Sequence, residues 1–173
     1  MNTFAKIKLV ARYKKVVYYT VQIEGDAASL FEDFLLKHTP NNKEKLNHIM
    51  KWMKKIGDEK GARKSYFRNE AETADTTALP PKGTNREPAY IEDGENSAND
   101  LRLYCYRVNE HVVFLFNGDI KTTTRAQDCR QVQPHFRLAN KLTKCIAEKL
   151  NDEIRWNKDG TDIDFDEELD LIF

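Results

Sequence analysis

The clearest strand patterns of the chain lie in residues 101–124, which read LRLYCYRVNEHVVFLFNGDIKTTT. Two runs of β-branched and aromatic residues, LRLYCYRV and VVFLF, are joined by a short connection at Asn109 and Glu110. Residues of these types are enriched in strands, and a short polar connection between two such runs is typical of a β-hairpin. The sequence therefore predicts two antiparallel strands here, with the upstream run AYIED, residues 89–93, as a third strand beside them.

Helical periodicity lies on both sides of this meander. Residues 5–23 read as one long bent strand or two short ones, with a strand near residues 16–23. The segment AASLFEDFLLKH, residues 27–38, places apolar side chains three and four residues apart. A second amphipathic segment begins after Asn41 or Asn42 and ends near Gly57, so the two segments predict a helical hairpin. Pro134 suits the first turn of a final helix. Between the helices and the meander, residues 58–87 lack periodicity and read as a long connection.

The C-terminal residues combine a hairpin signal with a strong negative charge. Ile154, Trp156, Ile163 and Phe165 alternate around an Asp159-Gly160 turn, which predicts a small hairpin. Residues 151–173 carry nine acidic and two basic residues, a net charge of −7, so the rest of this neutral chain carries +7. A basic body of this kind suits a protein that meets polyanions.

Length and composition limit the class of protein. A chain of 173 residues with 40% hydrophobic and 32% charged residues fits one globular domain. We assign residues 1–153 to a single domain and residues 154–173 to an acidic C-terminal extension. No apolar run is long enough for a membrane helix, and three widely spaced cysteines suggest neither a disulfide scaffold nor a metal site. We therefore expect a cytoplasmic protein with no membrane, metal or cofactor.

The order of the elements and the stretch 101–124 together resemble toxins of the RelE/HigB type from toxin-antitoxin systems, including their phage-type relatives. In that family an arginine opens a central strand that carries aromatic residues, and a lysine follows the end of the next strand. Arg102, Tyr104 and Lys121 occupy those places here. The resemblance implies an α+β fold, in which an N-terminal helical hairpin and a C-terminal helix pack on a small antiparallel sheet.

The same resemblance implies an endoribonuclease that cleaves mRNA, often on the ribosome, and that is neutralised by an antitoxin protein. Such enzymes use no metal, because basic and tyrosine side chains position the phosphate and move the protons. Arg102, Tyr104 and Lys121 are the catalytic candidates. Several family members carry lysines on the strand that corresponds to AYIED, but this segment contains no lysine. Cations elsewhere in the chain are therefore needed to bind RNA. The candidate RNA-binding residues are Lys82, Arg86, Arg107 and Arg125.

Two other functions also fit the sequence. A non-catalytic module of the same fold would bind nucleic acid or protein, and its affinity for RNA would fall steeply with salt without any cleavage. Alternatively, the chain is a structural or interaction protein whose helical hairpin binds a partner. Fold analogy alone does not separate these possibilities.

Overall fold

Eleven strands and three α-helices form the regular structure of residues 1–70 and 75–173, the part of the chain that the computed structural model describes. The strands are β1 (Phe4–Arg12), β2 (Val17–Ile23), β3 (Arg68–Asn69), β4 (Thr76–Leu79), β5 (Ile91–Glu92), β6 (Glu95–Asn96), β7 (Leu103–Arg107), β8 (Val112–Leu115), β9 (Arg155–Trp156), β10 (Ile163–Asp164) and β11 (Leu171–Ile172). The helices are α1 (Leu30–His38), α2 (Lys43–Lys55) and α3 (Gln133–Lys149).

One seven-stranded mixed sheet organises the molecule, in the order β11-β1-β2-β8-β7-β4-β3. Neighbouring strands run antiparallel, except that β2 and β8 are parallel, with Val17 opposite Val112. The hairpin predicted from residues 101–124 is confirmed, since β7 and β8 pair in antiparallel register with Cys105 opposite Leu115.

Helices cover both faces of this sheet. Side chains alternate between faces along a strand, and on β7 they separate two cores. Tyr104 and Tyr106 pack with Phe136 of α3, whereas Cys105 belongs to the core that α1 and α2 build on the other face. Since both faces are covered, β8 is buried along its whole length, which explains its continuous apolar run VVFL.

The predicted fold, a small antiparallel sheet with an N-terminal helical hairpin, is wrong. Residues 4–23 form two long strands of a large mixed sheet, and part of the presumed long connection supplies two more, β3 and β4. Strand β4 is short, yet three of its four residues are buried between β3 and β7. The sheet is larger than predicted because polar, irregular stretches complete it.

The run AYIED also differs from the prediction, because it does not join the main sheet. Strands β5 and β6 form a separate two-residue hairpin around Asp93 and Gly94, which both have positive φ. A turn of that geometry favours an Asp-Gly pair. Both residues of β5 are exposed, so no hydrophobic face draws this segment onto the sheet.

The sequence signals at the helix ends have mixed outcomes. A capping box at Ser29 and Glu32 begins α1, and a proline in the first turn begins α3 as predicted. Helix α2 ends at Lys55, near Gly57 as predicted, but the chain stays helical beyond that glycine. It passes into a π-helical turn, Ile56–Lys60, which ends at Gly61 with φ 78°.

The C-terminal residues pack against the rest of the fold. The hairpin predicted around Gly160 is confirmed as β9 and β10, with Trp156 opposite Ile163. Strand β11 then pairs with β1 at the edge of the main sheet and buries Leu171 completely. Asp170 forms an ion pair with Lys6 at 2.9 Å, so acidic residues of this segment lie along β1.

Among the residues that the structure describes, none of the helices combines the length and the hydropathy required to cross a membrane.

Candidate functional site

Strand pairing places three charged side chains on the face of the sheet that α3 covers. Arg68 lies opposite Ala78, which in turn lies opposite Tyr104. Since alternate residues share a face, Arg102 lies on the same face as Tyr104, and Glu70 on the same face as Arg68. All three side chains therefore lie on one face of the sheet.

Glu70 brings two of the predicted catalytic cations together. Lys121 Nζ lies 2.9 Å from Glu70 Oε2, and Arg102 Nε lies 3.5 Å from Glu70 Oε1. The Glu70 side chain is only 6% exposed, and both cationic side chains are 11% exposed. Charges that are this close together and this little exposed to solvent interact more strongly than charges at the protein surface. Arg102 and Lys121 therefore share one carboxylate.

The backbone around Arg102 holds this side chain in place. Its Nη1 donates to the carbonyl oxygens of Asn99, at 2.6 Å, and Leu101, at 3.2 Å. Asn99 is itself buried, and its amide Nδ2 donates to His48 Nδ1 at 2.9 Å. Gly118 packs so closely that a Cβ there would lie 1.8 Å from the carbonyl oxygen of Arg102. The arginine is thus part of a rigid support.

Two buried polar atoms beside Glu70 have no hydrogen-bond partner within the described residues. These atoms are Arg102 Nε and the Tyr104 hydroxyl oxygen. Buried polar groups are normally paired, and an unpaired one costs free energy. Burial, and then the neighbouring charge of Glu70, raise the pKa of Tyr104, so its hydroxyl stays protonated. The site therefore holds hydrogen-bonding capacity that the described protein groups leave unused.

Burial also affects the guanidinium groups. It lowers the pKa of Arg102, while the charge of Glu70 acts in the opposite direction. Burial, and then repulsion from Arg102, lower the pKa of Arg68 to about 10. Both groups still carry a positive charge at neutral pH, so the carboxylate of Glu70 faces a concentrated positive field.

These side chains line a cleft of about 480 Å³, which we call the Glu70 cleft. The residues that line it are Arg68, Asn69, Glu70, Lys82, Arg102, Lys121, Thr123, Thr124, Arg125, Ala126 and Gln127. Among these described residues five are basic and one is acidic, which gives a net charge of +4. A cleft of this size and charge suits an anionic group larger than a single ion.

The structure brings together some of the predicted site residues and separates others. Lys82 and Arg125 line the Glu70 cleft, together with Arg102 and Lys121. Arg86 instead lies over the rings of Trp52 and Tyr66, at 5.5 Å and 5.2 Å from their centroids.

Two further predicted residues do not line the cleft. Arg107 lies at the far end of β7, where its Nε donates to the carbonyl of Ala62. Tyr104 is fully buried against Phe136 of α3, behind the cleft lining. A ligand in the cleft therefore meets Arg102 and Lys121 before it meets the tyrosine.

Two residues at this site were not predicted from the sequence. Glu70 lies in an aperiodic stretch, where no motif distinguishes it from the other acidic residues. Cys129 lies beside the cleft with its sulfur 3.5 Å from the backbone nitrogen and the hydroxyl of Thr122. Although burial raises the pKa of Cys129, hydrogen bonds led by those of Thr122 bring it down to about 7.

Comparisons with protein-family models, with curated proteins and with solved structures give no significant match to this chain.

Proposed function

We propose that the chain is a metal-independent endoribonuclease, acting as the toxin of a toxin-antitoxin system, and that the Glu70 cleft is its active site. The observation that supports this proposal is the convergence of Arg102 and Lys121 on the carboxylate of Glu70. A general base and two fixed cations are the groups that cleavage of RNA by its own 2′-hydroxyl requires.

The proposed reaction is a transesterification. The carboxylate of Glu70 takes the proton of the ribose 2′-hydroxyl, and the 2′-oxygen forms a bond to the adjacent phosphorus. The bond between phosphorus and the 5′-oxygen breaks, and that oxygen takes a proton from a lysine of the cleft, Lys82 or Lys121. The products are a 2′,3′-cyclic phosphate and a 5′-hydroxyl, so atoms and charges balance.

The cations act on the negative charge that grows during this step. The planar fork of Arg102 matches two phosphate oxygens, and its Nε, which pairs with Glu70 at 3.5 Å but forms no hydrogen bond within the described residues, is a donor that a phosphate would satisfy. Lys121 neutralises the charge from the other side of Glu70. Tyr104, behind the lining, acts through the position of Arg102 and Glu70 rather than on the substrate.

The location and the partners of the proposed enzyme follow from its substrate and from the charge of the cleft. The substrate is mRNA, free or on the ribosome, and the enzyme works in the cytoplasm, where this substrate lies. An antitoxin protein would neutralise it by presenting acidic side chains to the cleft, whose net charge of +4 favours an anionic partner.

One observation favours a second candidate, a nucleic-acid-binding module without catalysis. Glu70 already pairs with Arg102 and Lys121, so both cations are partly neutralised before any RNA binds. If RNA phosphate merely displaced Glu70, the chain would bind RNA and leave it intact.

The test is expression of the chain in growing cells, followed by primer extension on abundant transcripts. New RNA ends and arrested growth are expected for the native chain. Lys121→Gln, which removes a cation but keeps a polar side chain, should abolish both effects. The matched control is Lys144→Gln on the exposed face of α3, which should behave as the native chain does.

Glu70→Gln separates the two candidates in purified protein. Loss of a general base lowers the rate by roughly 10²–10⁴-fold. We expect this variant to bind RNA at least as tightly as the native chain and to cleave it at a rate lower by that factor. Intact transcripts with the native chain, under conditions where it binds RNA, would exclude the nuclease and leave the binding module.

A further inference from the structure

A second basic cleft lies at the opposite end of the β7–β8 hairpin. It has a volume of about 610 Å³ and shares no lining residue with the Glu70 cleft. We call it the Lys60 cleft. The residues that line it are Arg12, Tyr13, Lys14, Lys15, Val16, Val17, Lys60, Gly61, Arg63, Glu110, His111, Asn157, Thr161 and Asp162.

Backbone hydrogen bonds between distant segments fix the frame of the Lys60 cleft. Lys15 N donates to the carbonyl of Gly57 at 2.7 Å, which joins the β1–β2 turn to the π-helical turn after α2. Val17 N donates to the carbonyl of His111 at 2.8 Å, and Ala62 N to that of Glu110 at 2.8 Å. These backbone hydrogen bonds fix the segments that line the cleft relative to one another.

Four of the five cations that line the Lys60 cleft are available to a ligand. Five basic and two acidic residues line it, which gives a net charge of +3. Arg12 is paired with Asp162. The other four basic residues are exposed and form no ion pair with any described residue: Lys14, Lys15, Lys60 and Arg63.

An aromatic side chain lies among these cations. Tyr13 is half-buried, and its ring meets the ring of Tyr18 edge-on, with centroids 5.5 Å apart and planes at 87°. The ring also packs against Gly57, where a Cβ would lie 2.6 Å from Tyr13 Cγ, so only glycine leaves space for the ring. Tyr13 is thus held in a defined position beside Lys14 and Lys15.

We propose that the Lys60 cleft binds single-stranded RNA away from the point of cleavage. Exposed cations follow the phosphates of a single strand, while an aromatic ring accepts the face of a base without sequence preference. Tyr13 and the four free cations supply both elements. The identity of the ligand as RNA rests on the proposed function, and the Lys60 cleft extends the surface by which that enzyme would hold its substrate.

Distance along the hairpin separates the two sites. The five residues of β7 span roughly 17 Å at about 3.3 Å per residue. A very short RNA in the Glu70 cleft therefore does not reach the Lys60 cleft, whereas a longer strand does. The Lys60 cleft should affect affinity for long RNA and leave the chemical step unchanged.

The experiment measures binding of a 2′-O-methyl oligouridine of about 16 nucleotides, a length at the upper end of known single-strand sites. The methyl group prevents cleavage, and fluorescence anisotropy at a series of salt concentrations gives the affinity. The test variant is Lys14→Ala/Lys15→Ala/Lys60→Ala. The control, Lys51→Ala/Lys54→Ala/Lys141→Ala, removes the same charge from exposed helical positions.

Each phosphate contact on a single strand contributes about 0.7 to the slope of log K against log salt. The test variant should therefore lower the magnitude of that slope by about 2 and weaken binding at low salt, while the control keeps most of the native slope. Cleavage of a dinucleotide should be unchanged in both variants.

Three results would overturn the inference: equal slopes for test and control, no RNA binding by the native chain, or tighter binding of polyglutamate than of oligouridine. A native chain that binds the oligonucleotide through the Lys60 cleft but never cleaves RNA would refute the nuclease alone.

Discussion

Replacement of Glu70 by alanine leaves two buried cations without their carboxylate. Arg102 and Lys121 are each 11% exposed, and removal of one partner of a buried ion pair costs about 3–5 kcal/mol. Some solvent reaches both cations, so we expect the lower end, roughly 3 kcal/mol. For a chain of this size that loss lowers the melting temperature by roughly 6–12 °C.

Inorganic phosphate should restore much of this stability, because it supplies the missing anion to the same two cations. A ligand that binds only the folded state at about 100 times its Kd stabilises by about 2.7 kcal/mol. Thermal unfolding of Glu70→Ala should therefore shift upward by several degrees when phosphate replaces chloride at equal ionic strength. The native chain, whose Glu70 already occupies the cations, should shift less.

Asp119→Ala is the matched control for phosphate rescue. Asp119 is a carboxylate with a 13% exposed side chain that pairs with Lys37, but it does not line the Glu70 cleft. Phosphate should raise the melting temperature of Asp119→Ala by no more than it raises that of the native chain. If phosphate raised the melting temperatures of Glu70→Ala, Asp119→Ala and the native chain equally, the Glu70 cleft would not be an anion site.

Three further predictions concern the stability of the fold. Leu171→Ala should cost about 2–5 kcal/mol in urea unfolding because Leu171 is fully buried; a loss below about 1 kcal/mol would mean that β11 is not part of the cooperative fold. Gly118→Ala should cost about 3 kcal/mol, since its Cβ meets the carbonyl of Arg102; unchanged stability would contradict this contact. Burial lowers the pKa of His38 and His48 below the ordinary value of 6.5. Near that pH the unfolded chain therefore binds more protons than the folded chain, so the free energy of unfolding should fall as the pH drops from about 7.5 to about 5.5. A pH-independent urea midpoint over this interval, with native and His38→Gln chains alike, would refute that assignment.

Local patterns were sufficient for the elements whose signals lie within a few residues. The apolar runs around Asn109 predicted the β7–β8 hairpin, and Asp159-Gly160 predicted the β9–β10 hairpin, because turn chemistry and strand propensity agree at both places. Pro134 predicted the start of α3 for the same reason, since a proline without an N–H fits a first helical turn.

The large sheet could not be predicted, because its decisive pairings are non-local. The parallel contact of β2 with β8 joins residues almost a hundred positions apart, and no local pattern in either strand specifies its partner. Strand β4 has only four residues, two of them threonine, and is recognisable only from its buried place beside β7. Tertiary context overrides weak strand propensity in such segments.

The candidate site could be predicted in part for a related reason. Arg102 and Lys121 flank two clear strands, so their proximity follows from a hairpin that the sequence reveals. Glu70 reaches them only because β3 and β4 extend the sheet, and that extension was not predicted. Its role therefore became visible only when the non-local pairing was known.

The direct test of RNA cleavage through Glu70 is mass spectrometry of the products of a short RNA incubated with the purified chain. Attack by the 2′-hydroxyl yields a 2′,3′-cyclic phosphate and a 5′-hydroxyl, and no cleavage is expected where the ribose at the scissile position is 2′-deoxy. With Glu70→Gln the rate should be at least about 10²-fold lower. Cleavage that persists at the 2′-deoxy position, or at an unchanged rate without the carboxylate, would contradict this mechanism.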